Sequence, residues 1–296
     1  VLGVTYTELV LPTLLGVLTV ALGLAFGKSI TVVLFALIGA SLIVIGLEIR
    51  SIKRALPPDT TDETTTDPAA FREGTLPLFV GQLGIAAQEV SYLLIVGATL
   101  GAREAGLFAV ATRIAQLARM GNSAVESLIG PDLGRLGKDG RKAQSEIQEV
   151  VDRGIRLSIF FTGTACLGIA LTTDFVLSIF GDGFADARNL VWVMLVGMVL
   201  NAATGPTGYL VSMTGSELTF GYVMLGHAIV GAGLALAAAA AFNSATSIAA
   251  VSALTTVSWN LWFVWVAGRR LGVWSFPGGH LLASHQASKQ ARNSEV

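Results

Sequence analysis

The chain has 296 residues, of which 53% are hydrophobic and only 13% charged, with a mean hydropathy of +0.68. Soluble domains carry roughly 25% charge, so half that figure excludes a disordered or nucleic-acid-binding chain and speaks against an ordinary soluble enzyme. The formal net charge of −1 sets up no field for a polyanion, and a single cysteine, Cys166, excludes a disulfide framework.

A helix that crosses a bilayer needs about 20 mostly apolar residues. Eight such runs follow one another, at 9–26, 30–49, 76–100, 104–130, 155–180, 190–213, 219–242 and 247–268. The expected class is an all-α, polytopic membrane helix bundle with eight transmembrane helices. The first residue is Val1 and no signal-peptide n-region precedes the first run, so the chain reads as a piece of a longer protein. Residues 1–49 form a first pair of helices. Residues 50–75 form a linker, 76–268 a six-helix lobe and 269–296 a tail. The linker carries Leu56-Pro57-Pro58-Asp59 and a Thr/Asp/Glu tract with no apolar period, a flexible, solvated composition.

Lysine and arginine sort by side. Linker, loop 131–156 and tail hold 14 of them, the opposite loops hold 3 (Lys28, Arg103 and Arg188), and Arg113 and Arg119 lie inside the fourth run. This asymmetry predicts that linker, long loop and C-terminus are cytoplasmic. Within the long loop, Gln144 to Val151 puts Ile147, Val150 and Val151 on one face, which predicts a short amphipathic helix on the membrane surface. Gly81, Gly84, Gly197, Gly205, Gly208, Gly221, Gly226, Gly231 and Gly233 lie in the spans, where small residues let helices approach. Pro77 and Pro206 mark candidate kinks. Trp262, Trp265 and Trp274 beside Arg269 and Arg270 read as an interfacial belt, and His227 as a helix–helix hydrogen-bonding group. No HExxH, CxxC, GxSxG or P-loop pattern occurs, and neither a cofactor nor an enzyme is expected. The acids Asp174, Asp182 and Asp186 lack the companions of a metal site.

The fourth run carries the chemistry. At 100° per residue, Gln116, Ser123, Arg119, Glu126 and Asn122 share a face about 120° wide, with Arg113 at its edge. An arginine inside a membrane costs at least about 2.5 kcal/mol, so two on one helix need water or partners. The third run offers Gln82, Gln88 and Glu89. One reading is an internal ion pair, such as Glu89 with Arg113, that fixes helix register. The other is a cavity that meets a charged substrate. Arg113 and Arg119 then bind phosphate with their planar forks, while Gln82, Gln88, Gln116 and Asn122 bind substrate by hydrogen bonds. Glu89 and Glu126 pair with the arginines or carry a coupling ion.

Four stretches carry a family likeness. They are Leu100-Gly101-Ala102-Arg103-Glu104-Ala105-Gly106-Leu107-Phe108-Ala109 with Arg113-Ile114; Ile129-Gly130-Pro131; Ile179-Phe180-Gly181 with Phe184-Ala185-Asp186-Ala187; and the segment from Asn201 through Thr204-Gly205-Pro206-Thr207-Gly208-Tyr209-Leu210 to Met213-Thr214-Gly215. Together they resemble the polysaccharide-transporter family of flippases, the O-antigen and exopolysaccharide branch of the multidrug/oligosaccharidyl-lipid/polysaccharide exporter superfamily. The likeness covers roughly residues 70–275. It implies two six-helix lobes around a central cavity, of which this chain has a complete second lobe and the last two helices of the first. It also implies movement of polyprenyl-pyrophosphate-linked oligosaccharide across the cytoplasmic (inner) membrane by alternating access, for surface polysaccharide biosynthesis, with an ion gradient as one coupling source. Membrane lipid, a polysaccharide polymerase and glycosyltransferases are the further partners implied, and no nucleic acid. A drug or organic-cation antiporter of the same superfamily is the alternative function, and a non-transporting truncated membrane protein the third.

Overall fold

In the computed structural model the chain divides into two units, Val1–Thr65 and Thr66–Val296. The described residues are 75–279, 281 and 282, together with scattered positions between 35 and 50. Those positions in the first unit are helical. The run at 9–26, the linker at 51–74 and the histidines His280 and His285 lie outside the described residues.

Among the described residues the second unit is built of helices alone: α1 (Leu76–Leu100), α2 (Ala102–Leu136), α3 (Gln144–Ile179), α4 (Arg188–Thr204), α5 (Thr207–Met213), α6 (Glu217–Phe242) and α7 (Ala245–Leu271). Short turns of 3₁₀ helix lie in Gly137–Ala143, broken at Gly140, and in Asp182–Ala187. Helix is what an apolar run adopts where no water is present to satisfy a free backbone. Among the described residues five segments are long and apolar enough to cross a membrane: Leu76–Leu100, Gln144–Ile179, Gly183–Thr204, Glu217–Phe242 and Ala245–Leu271. The fourth run is not among them. Its helix α2 has the length, at 35 residues, but Glu104, Arg113, Arg119 and Glu126 lower its hydropathy.

The termini of these helices follow from local chemistry. Pro77 stands in the first turn of α1, where a missing N–H costs nothing, so it starts that helix and does not kink it. Gly101, at φ +95°, ends α1 and caps α2, making a one-residue reversal. Glu104, Glu146 and Glu217 sit in the first turns of α2, α3 and α6, and Arg269 and Arg270 in the last turn of α7, each complementing the helix dipole.

Two expectations are corrected here. The amphipathic segment from Gln144 is not a separate helix on the membrane surface. It is the first two turns of α3, which runs unbroken for 36 residues, because nothing between Val151 and Ile155 stops a helix. Its face is not presented to lipid either: Ile147 and Val151 are fully buried, packed with Leu133, Leu136, Leu271 and Val273. The sixth run is not one helix. It breaks between α4 and α5 at Gly205, whose φ of +65° only glycine adopts easily, and at Pro206. The carbonyl of Thr204 freed there accepts a hydrogen bond of 2.6 Å from Ser275 Oγ.

α1 packs along α6, α2 against α3 and α4, and α4 against α7. The α1–α6 seam is a glycine seam. A Cβ on Gly221 would lie 2.6 Å from Pro77 O, and one on Gly84 would lie 2.9 Å from the Leu225 backbone nitrogen. Gly81 receives the Phe220 ring, and Gly231 the Tyr92 hydroxyl. Gly226 and Gly233 meet nothing within 4 Å, so the small-residue reading does not extend to them.

After α7 the chain turns at Gly272 and runs back over the bundle. Gln148, 5% exposed, pairs through its amide with both backbone groups of Trp274: Nε2 donates to Trp274 O at 3.0 Å, and Trp274 N–H donates to Oε1 at 2.9 Å. Gln144 Nε2 donates to Gly272 O at 2.9 Å. Trp274 thus belongs to this strap, over Gly268, not to the belt. Trp262 and Trp265 remain exposed on α7, and Arg269 sits 5.3 Å over the Trp265 ring. Gln148→Ala removes both hydrogen bonds to the Trp274 backbone, at a cost of about 1.5 kcal/mol. A broad-specificity protease should then cut residues 272–279 about tenfold faster than in the parent, and an equal rate would show that the strap is held elsewhere.

Candidate functional site: a polar cavity inside the bundle

The helices of the second unit enclose a cavity of about 570 Å³, within the range of small-molecule sites. It lies inside the lobe. α1 supplies Gln82, Gln88 and Glu89, and α2 supplies Gln116, Arg119, Asn122 and Glu126. Seven of the eight residues picked out in the sequence therefore line one space. They meet because the 3.6-residue period stacks the polar residues of each helix on one face, and because α1 and α2 run side by side from the Gly101 reversal.

Arg119 Nη1 donates to Glu89 Oε1 at 2.7 Å and ties α2 to α1. Both side chains are more than a third exposed, so the bridge is solvated and holds register more than it adds stability. The expected partner was Arg113; the observed one is Arg119, a turn and a half further along. Asn122 Nδ2 donates to Glu126 Oε1 at 2.8 Å. Gln88 and Asn122 are both more than nine-tenths buried, and Gln88 Oε1 and Asn122 Oδ1 accept no hydrogen bond from any described group.

Arg113 is the exception. It does not line the cavity. Its guanidinium is exposed and donates from Nη1 to Gln116 Oε1 at 2.9 Å. Among the described residues no carboxylate lies within ion-pair distance of it. The reason is angular. Arg113 stands at the edge of the polar face, 60° from Gln116, so the rotation of α2 that turns Asn122 and Glu126 inward turns Arg113 outward.

The far wall was missed in the sequence. Asn260 on α7 is buried and accepts from Thr207 Oγ1 at 2.9 Å through Oδ1. Its Nδ2 donates to Asn201 Oδ1 at 2.6 Å and to Thr256 O at 2.9 Å. This hub fastens α4, α5 and α7 around the Gly205 break, and Tyr209, Ser212 and Trp259 complete the wall. A lone asparagine in an apolar run was the available signal.

The remaining candidates resolve simply. His227 Nδ1–H donates to Val223 O at 2.8 Å, and Nε2 shares a 3.3 Å hydrogen bond with Ser258 Oγ on α7, the helix–helix role expected of it. At the opposite end of the bundle Asp174 pairs with Arg188 at 3.2 Å and Asp186 with Arg103 at 2.5 Å. Asp186, and secondarily Glu104, holds the Arg103 guanidinium above its ordinary pKa by hydrogen bonding and charge. Among the described residues no group of three His, Cys, Asp or Glu side chains is placed to hold a metal. Compared with protein families, curated proteins and solved structures, the chain matches none.

Proposed function

We propose that the chain moves an amphiphile with an anionic head across a membrane, and that this amphiphile is oligosaccharide linked to polyprenyl pyrophosphate. The reading rests on one observation above others: an exposed guanidinium, Arg113, stands mid-helix on α2 beside helices apolar enough to cross a bilayer, with no carboxylate against it among the described residues. Facing lipid, such a group costs at least about 2.5 kcal/mol. Facing a water-filled path, it offers a phosphate the bidentate contact that arginine makes best. The amide-rich cavity behind it suits hydroxylated sugars, and the sequence resemblance points the same way. In this reading the eight apolar runs all span the cytoplasmic membrane. The C-terminus lies inside, as the sorting of 14 basic residues against 3 predicts. The polymerase and glycosyltransferases of the same surface polysaccharide act on either side of the step.

Replacing Arg113 by alanine in the chromosomal gene removes one charge-assisted bidentate contact, worth about tenfold in affinity. Surface polysaccharide should fall by a similar factor at normal expression of the variant, with partial recovery for Arg113→Lys. Unchanged polysaccharide in Arg113→Ala would remove the phosphate-binding role. The cavity favours a second reading, the organic-cation antiporter, in one respect: Arg119 is balanced by Glu89, and Glu126 leaves an excess of acid. A deletion strain with intact surface glycan and raised sensitivity to cationic drugs would establish that reading instead.

A further inference from the structure

The break between α4 and α5 divides the cavity wall. Asn201 on α4 and Tyr209 and Ser212 on α5 line the same space, with Gly205 between them. The angle at the break therefore sets the shape of that wall. Backbone bonds at the break do not fix this angle. Gly205 N–H donates to Ala202 O at 3.0 Å and Thr207 N–H to Gly205 O at 2.9 Å, and both close local turns. Gly205, without a Cβ, passes between positive and negative φ at little cost, and Pro206 has no N–H to bond across the break. Such a joint is a hinge unless groups outside it hold it.

Two groups do so. On one side Asn260 bonds Asn201 and Thr207. On the other, Ser275 is fully buried and its Oγ donates to Thr204 O at 2.6 Å. A Cβ on Gly205 would come within 3.3 Å of Ser275 Oγ and 2.6 Å of Ile155 Cγ1, so strap and α3 close directly on the joint. The two holders differ in footing. Asn260 stands inside the long helix α7. Ser275 stands on the strap, whose residues 272–278 form no helix and which is tied to α3 through the side-chain amides of Gln144 and Gln148. A segment without helical bonds of its own opens before the helices beside it.

We infer that residues 272–279 are a latch on this hinge, and that Ser275 is the positioning residue that keeps Tyr209 and Ser212 in the cavity wall. With Ser275 in place, Thr204 O has its donor and α5 closes the wall. When the strap lifts, the carbonyl loses that donor and α5 swings about Gly205, which opens the cavity beside Ser212. In the proposed topology the strap is cytoplasmic and the chain runs on beyond it, so a pull on the tail reaches the cavity through Ser275. The latch itself rests on geometry, and stands whether or not the cavity carries a lipid-linked glycan.

The test is thiol labelling of the full chain in lipid nanodiscs. Ser212→Cys, in a Cys166→Ala background, reports the cavity face of α5. Native Cys166, 5% exposed, reports general loosening of the bundle. Adding Ser275→Ala should raise the labelling rate of the Ser212→Cys chain about tenfold, the effect of one lost buried hydrogen bond on a local opening. Native Cys166 in the Ser275→Ala chain should label within about twofold of the parent rate. Gln148→Ala, which frees the strap away from the break, should raise the Ser212→Cys rate as well. An unchanged rate at that position, an equal rise at Cys166, or a rise in Ser275→Ala without one in Gln148→Ala would overturn the latch. None of these readouts depends on surface polysaccharide, so the latch and the flippase reading fail separately.

Discussion

Gly221→Leu will open the α1–α6 seam and lower the thermal midpoint of the detergent-purified chain by about 10 °C. A Cβ at this position meets Pro77 O at 2.6 Å, and a backbone carbonyl in a helix has nowhere to move. Helices in lipid are held by close packing, since lipid removes the hydrophobic drive between them. Overpacking costs typically 1–3 kcal/mol. Here two helices must separate along their length, so about 3 kcal/mol is expected, which converts at roughly 3 °C per kcal/mol for a lobe of this size. Cys166 makes the measurement simple. It is the sole cysteine of the chain, 5% exposed, and labels with a thiol-reactive fluorophore only as the bundle opens. Gly226→Leu is the control. A Cβ there meets nothing within 4 Å, so the midpoint should stay within about 1 °C. Equal shifts in the two variants would mean that helix propensity, not the seam, is being measured.

Asn260→Leu should rank second, at about 2 kcal/mol. The substitution keeps the branched shape but strands Thr207 Oγ1 and Asn201 Oδ1, both bonded to Asn260, in a wall where Thr207 is fully buried. Each stranded group costs about 1 kcal/mol or more. Asn260→Asp separates two explanations. It keeps an acceptor for Thr207 but loses the donor to Asn201, so it should retain about half the loss if hydrogen bonding is the cause. A Leu variant as stable as the parent would show that the α4–α5 break is held by packing alone.

The runs of apolar residues made the helices legible, because 20 residues without a charge leave the backbone one way to satisfy itself. The polar face of α2 was legible for a similar reason: its residues repeat at the helical period, and so Gln116, Arg119, Asn122 and Glu126 arrive together. Partner choice across helices was not. The pairing of Glu89 with Arg119 and the outward turn of Arg113 depend on how α2 rotates against α1, which a period does not state. The Asn260 hub was illegible for the same reason, since Asn201, Thr207 and Asn260 lie on three different helices. The break at Gly205-Pro206 was visible as residues, but its depth was not, since Ser275 from the strap holds it open. The continuity of α3 was missed because charge at 149–156 reads as a loop, whereas here it covers one side of a helix whose other side is core.

Helix length sets the environment of that end of the bundle. At 1.5 Å per residue α2 and α3 are each over about 50 Å long, while the hydrocarbon of a bilayer is about 30 Å thick. In the proposed reading, in which both cross a bilayer, about 20 Å of each stands clear of it, at the end that carries Asp132, Arg135, Asp152 and Arg153. The cluster of Leu133, Leu136, Ile147, Val151, Leu271 and Val273 lies there. In that reading it is an ordinary aqueous core, stabilised at about 25 cal/mol for each Å² withdrawn from water. The rest of the lobe has no such drive. In that reading one continuous bundle answers to two solvents: urea and cold act on its charged end, whereas acyl-chain length and bilayer thickness act on the other.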